Sequence, residues 1–148
     1  MARLLLIGSL AWPLLLGAAW WNHAEHRAGD RSVWAVVVYL AAGRVCHQQP
    51  ERSFHSDGAQ WPVCARCAGL YLAAPLAAGW WLTRRRRTAQ ITQAAYRGMA
   101  LAAVPTVLTL AWEWGGGGTP PNLVRFLTAL PLGAAIAWAL FTVTHRID

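Results

Sequence analysis

The sequence contains no lysine, and only six acidic residues stand against thirteen arginines. Charged residues are 13% of the 148 positions, roughly half the share found in soluble domains. That scarcity excludes the solvated, mixed-charge surface of an ordinary soluble globule. Cysteine is scarce too, with Cys46, Cys64 and Cys67 the full set. An odd number leaves one thiol over in any purely structural disulfide scheme, so the arithmetic leans toward a metal site or a redox pair with a resolving partner. No internal repeat is present. Gly115–Gly118 is glycine-rich, but it follows no strand and has no Lys-Ser/Thr partner, so a phosphate-loop reading fails.

What is present is apolar length. Hydrophobic residues make up 56% of the chain, ten of them tryptophan, and four apolar runs are 17 to 21 residues long. Runs of this length match the hydrocarbon thickness of a bilayer. The expected fold class is therefore all-α: one domain over 1–148, a polytopic transmembrane bundle of about five helices with short loops. The spans fall at about 4–21, 32–46, 62–82, 98–114 and 123–143. A cleaved signal peptide is the rival reading of the first, but Trp20-Trp21-Asn22-His23 lacks a small-residue cleavage pattern. The second span is short, which places Cys46 below the membrane surface. Pro62 suits the first position of the third helix, and Asn122 suits the N-cap of the fifth.

Arg84-Arg85-Arg86-Arg87 reads as a cytoplasmic anchor under the positive-inside rule, in contact with anionic lipid head groups. No basic, aromatic-interleaved module remains outside the spans, so nucleic acid is not an expected partner. Alternation from that anchor makes 22–31, 83–97 and the C-terminus cytoplasmic. The N-terminus, 47–61 and 115–121 then lie outside. Tryptophan belts agree with this scheme if Trp20, Trp21, Trp34, Trp80 and Trp81 mark one interface and Trp61, Trp112 and Trp114 the other. The expected location is the cell membrane, multi-pass, with the cysteine site on the non-cytoplasmic side.

The chemistry concentrates in two segments. Cys46-His47 closes the second span, and Cys64-Ala65-Arg66-Cys67 opens the third. Cys64 and Cys67 sit one helical turn apart beside a guanidinium, which favours thiolate. Cys46, His47, Cys64 and Cys67 then form a Cys₃His donor set suited to zinc, with iron also admitted, and His55 is the reserve imidazole. Two other classes stay open. One is a membrane thiol–disulfide oxidoreductase exchanging at Cys64/Cys67, with Cys46 resolving and a quinone as electron acceptor. The other is a non-enzymatic accessory subunit whose motif staples two helices. Glu113, an acid inside an apolar run, demands a counter-ion, with Arg66 or Arg125 the expected partner. Together with Arg52, these residues form either a structural ion pair or a site for proton handling and for an anionic, lipid-like substrate. Ser53 is placed with them as a hydroxyl, although a plain turn residue is the simpler reading. His23 and His26 read as part of a solvated loop.

The stretch from Cys46 to Tyr71 resembles a family of small prokaryotic membrane proteins classed as domain of unknown function 2085. The resemblance rests on Cys46-His47-Gln48, on Pro50-Glu51-Arg52-Ser53-Phe54, on Pro62-Val63-Cys64 with Arg66 and Cys67, and on Gly69 with Tyr71. A second stretch, Asn122 and Arg125 leading into Leu127–Gly133, is similar as well. The family often has threonine where this chain has Ala68 and aspartate near the position of Glu113. The resemblance implies a multi-span membrane protein carrying a Cys/His motif, and it implies no particular reaction.

Overall fold

The computed structural model describes residues 2–25, 32–84 and 93–147. Five helices dominate: α1 (Ala2–Glu25), α2 (Val33–Gly43), α3 (Ala65–Arg84), α4 (Gln93–Trp114) and α5 (Asn122–Ile147). Between α2 and α3 a 3₁₀ turn, Pro50–Arg52, leads into two short strands, β1 (Ser53–Ser56) and β2 (Ala59–Cys64). By length and composition α1 and α5 are each apolar enough to cross a membrane, over Arg3–Glu25 and Asn122–Thr144. The arginine run Arg85–Arg87, together with His26, Arg27 and Arg31, lies outside the described residues.

Each of the four long helices carries an interior proline: Pro13, Pro75, Pro105 and Pro131. In water such a residue costs a helix about 3 kcal/mol, but membrane helices tolerate it because neighbours re-satisfy the freed backbone. Large apolar side chains point outward along these helices, among them Leu14, Leu76, Leu101, Leu108 and Leu140. The inside is small instead. Gly69, Ala73 and Ala77 on α3 recur every four residues, as do Ala129, Gly133 and Ala137 on α5, and all six are buried. Small residues at this spacing let two helix backbones approach closely. A Cβ on Gly133 would lie 2.5 Å from the carbonyl oxygen of Leu70, and one on Gly69 would collide with the carbonyl of Phe126. Backbone touches backbone along this crossing.

Leu5 and Leu6 of α1 pack against Ala77, Ala78, Ala137 and Phe141. Leu16, nearer the other end of α1, packs with Ala42, Cys46, Val63 and Ala68. The helix therefore runs antiparallel to α3, with its N-terminus beside the end of α3 and its C-terminus beside the strands. Here the expected alternation fails. Trp20 stacks on Trp61 with ring centroids 5.6 Å apart, although the sequence reading put these two at opposite interfaces. Helix α2 does not carry the chain across the bundle. It turns back along α1, with the Ser32 hydroxyl donating to Asn22 Oδ1 at 2.8 Å and the rings of His23 and Tyr39 5.2 Å apart. Eleven helical residues reach only about 16 Å, half the thickness of a hydrocarbon core.

Two further local corrections follow. Pro62 lies in β2 rather than at a helix start, and α3 begins at Ala65. The hairpin turns at Asp57 and Gly58, both with positive φ (53° and 72°), the backbone that an Asp-Gly two-residue turn supplies. Pairing runs Ser56–Ala59 and His55–Gln60, then slips before Ser53–Cys64. The slip spans Pro62, which has no N–H to give the ladder. Helix α4 also starts earlier than expected, at Gln93, inside the stretch read as a connection.

Candidate metal centre

Directed hydrogen bonds build the ground on which the cysteines stand. After α2 the chain reverses at Gln48, whose φ of 47° is left-handed. Its side-chain amide donates to the carbonyls of Tyr39 (2.8 Å) and Pro62 (2.7 Å). The Gln60 amide donates to the Gln48 carbonyl (2.6 Å) and to Ser53 Oγ (3.2 Å), while the Tyr39 hydroxyl donates to the Gln60 carbonyl (2.7 Å). Asn122, the first residue of α5, donates from Nδ2 to the Ser53 carbonyl at 2.9 Å. Burial among apolar side chains makes each unmatched polar group costly, so the bonds fix one arrangement of turn, hairpin and helix.

That arrangement brings the three sulfurs together. Cys46 comes from the segment after α2, Cys64 from the end of β2 and Cys67 from the first turn of α3, and all three Sγ atoms lie within 4.8 Å of one another. None forms a disulfide. A tetrahedral ion with metal–sulfur bonds of about 2.3 Å needs sulfurs roughly 3.8 Å apart, a separation inside this limit. The amide N–H of Cys64 donates to Cys46 Sγ at 3.1 Å. Hydrogen bonds from the Cys64 and Cys67 side chains, with that amide, hold the Cys46 thiol well below the usual range, against the opposing effect of burial. Cys46 is buried and the other two are half-buried.

No histidine joins them. Among the described residues the group of mutually close donors is the three sulfurs alone. His47 is exposed and lines the adjoining cavity, and His55 is exposed on β1. Of the expected Cys₃His residues, the structure brings the three sulfurs into one group. Cys46 is buried while its neighbour His47 is exposed, so the chain does not turn both side chains toward one point.

The adjoining cavity has a volume of about 500 Å³ and is lined by all three cysteines and by Arg52, Arg66 and Arg125. Glu113 binds these arginines together. Arg66 Nη2 donates to Glu113 Oε2 at 2.6 Å, Arg125 Nη2 pairs with Oε1, and Arg52 Nη2 stands 3.9 Å from Oε1. The Glu113 and Arg125 side chains are 4% and 1% exposed, against 43% for Arg52. Asn122 Oδ1 accepts from Arg125 Nη1 at 3.4 Å, so Asn122 serves as a bridge from inside the helix rather than as the expected N-cap. Among the described residues the buried Nε atoms of Arg66 and Arg125 have no acceptor.

Ser53, expected beside the arginines, is a strut. It is 1% exposed, donates to the Gln49 carbonyl at 2.9 Å and accepts from Gln60. His23 packs on Tyr39 rather than standing in a solvated loop, and His26 lies outside the described residues. Tyr39 and Gln60 had no part in the sequence expectations, and Gln48 and Asn122 entered only through the family resemblance and as a helix cap, not as supports of the site. The signal for the hairpin that engages them was Asp57-Gly58 between two short runs.

The profile of the family described as "Predicted membrane protein (DUF2085)" matches residues 46–139. That interval opens on Cys46 and takes in every residue of the cysteine and arginine groups. An uncharacterised protein of Methanothermobacter thermautotrophicus is 32% identical over 111 residues, covering 75% of this chain and 97% of that one. An uncharacterised protein of Methanocaldococcus jannaschii is 43% identical over 37 residues, 25% of this chain and 24% of its own. No solved structure matches.

Proposed function

The chain belongs to the DUF2085 family of membrane proteins, and from that premise we propose that Cys46, Cys64 and Cys67 hold one transition-metal ion, zinc or iron, at one end of the helical bundle. The observation that carries the reading is the convergence of three free thiols, from two separate segments, within 4.8 Å. Thiolate suits these ions, and the Cys64 N–H that reaches Cys46 Sγ is the kind of outer contact that orients a ligand. Three protein ligands leave a fourth position for water or a substrate, the arrangement of a catalytic site. The ion would act there as a Lewis acid.

In the bilayer, α1, α3, α4 and α5 would cross, while α2 stays in the half that holds the cysteines. Arg3, near the start of α1, and Arg84, the end of α3, then share the opposite end, which the positive-inside rule makes cytoplasmic. The cysteines face the other side.

Elemental analysis of anaerobically purified protein, with a thiol titration on the same sample, tests the metal reading. About one metal ion per chain with no disulfide is the expected result. A second reading, thiol–disulfide exchange with a quinone as acceptor, draws on the depressed Cys46 thiol beside two more sulfurs. It requires a metal-free preparation with a reversible disulfide, and that outcome would sink the first.

A further inference from the structure

Glu113 is a single carboxylate shared by three guanidinium groups. The cavity wall therefore carries two positive charges in excess before the cysteines are counted. A Cys₃ centre holding a divalent ion has one net negative charge, which still leaves the wall positive. The donors are in surplus as well. Each guanidinium offers five N–H groups, while both Glu113 oxygens are already engaged by Arg66 and Arg125. Arg66 and Arg125 line the cavity, yet their buried Nε atoms find no acceptor among the described residues. Leaving charged donors buried and unmatched is expensive, and a structural ion pair alone would need one arginine, not three.

We propose that this cavity binds a phosphoryl-type oxyanion, held by Arg52, Arg66 and Arg125 next to the cysteine group. Guanidinium forks match the tetrahedral oxygens of such a group in a way that a point charge does not. About 500 Å³ is room for more than a bare phosphate. The wall changes character with depth. His47, Gln49 and Arg52 lie at the loop end, and Leu70, Thr106 and Leu110 lie further along α3 and α4. Thr106, Leu110 and Glu113 share one face of α4 at helical spacing. A charged head at the arginines with an apolar portion along α3 and α4 would use the whole wall; free phosphate would use only its upper part.

The test uses the whole chain in nanodiscs of pure phosphatidylcholine, with two probes. Equilibrium dialysis with radiolabelled inorganic phosphate reads the free oxyanion. Native mass spectrometry after adding phosphatidic acid to the discs reads the lipid headgroup. Saturable binding near one per chain is expected in at least one arm. Binding in the phosphate arm alone assigns a free oxyanion, binding in the lipid arm alone a headgroup, and binding in both a headgroup recognised apart from its chains.

Arg52→Gln, at a half-exposed position, should weaken binding about tenfold or more, with Arg52→Lys retaining part of it. Arg44→Gln, exposed and outside the cavity lining, should bind as the native chain does. Absence of saturable binding in both arms overturns the proposal, and so does an R52Q chain that elutes as the unsubstituted chain does and binds undiminished. Cys64→Ser separates the two readings. It should release the metal and keep the oxyanion, so a failed metal assay leaves the oxyanion site standing, and the reverse.

Discussion

The two ends of this bundle are held by opposite means. Around Ala77, Ala78, Ala137 and Phe141 small and aromatic side chains pack by shape, and the main-chain contacts at Gly69 and Gly133 lie between this end and the cysteines. Around the cysteines nearly every segment is fixed by a directed bond, from Gln48 to two carbonyls, from Asn122 to Ser53, and from two arginines to Glu113. Lipid tails are as apolar as leucine, so packing and hydrogen bonding must replace the hydrophobic drive between helices. The molecule uses one at each end. An error of size should hurt the first end, and an error of charge or donor the second.

The largest effect is expected at the charged end. Glu113→Gln removes the one carboxylate from a buried arginine pair and should cost about 3–5 kcal/mol, read as a fall in unfolding midpoint in detergent. Arg52→Gln, at the exposed rim, should cost no more than about 1 kcal/mol. Equal losses in the two variants would break the distinction between buried and rim charge.

Next comes the apolar crossing. Gly133→Ala drives a methyl into the Leu70 backbone and should cost about 1–3 kcal/mol. Gly79→Ala meets open space and should be neutral or gain up to about 1 kcal/mol from helix propensity. If both alanines prove harmless, shape is not what holds the crossing of α3 and α5.

Gln48→Ala strands the carbonyls of Tyr39 and Pro62 and should cost about 1–2 kcal/mol. Gln48→Gly loses the same donor but tolerates the positive φ, so it should unfold less readily than the alanine variant. Identical midpoints would remove backbone strain from the account. A loss of about 1 kcal/mol is expected from Trp61→Leu, which gives up ring contacts with Trp20 and Phe54.

The sequence made parts of this structure plain and hid others for physical reasons. Long apolar runs announce helices because a bilayer selects for length, and α1 and α5 were legible on that ground. Run length says nothing of depth or direction, so α2 read as a crossing although its eleven residues are too few. Tryptophan did not correct the error, since it favours both interfaces and cannot tell them apart. Glu113 was readable in a different way. A lone acid in an apolar run must find a cation, and Arg66 and Arg125 are both there. The hairpin escaped because strands of four and six residues with mixed polarity carry too little alternation. The histidine at 47 misled because adjacency along the chain looks like proximity in space, while its ring stands at the cavity wall.

Gly69 and Gly133 bring α3 and α5 into direct main-chain contact, and that has a mechanical consequence. Two rods meshed without side-chain padding cannot slide or roll independently, so they act as one stiff lever. Cys67 and Arg125 sit at one tip of it, and Phe141 sits about 24 Å away along the helix axis. A displacement at the cysteine tip would therefore move both helices together.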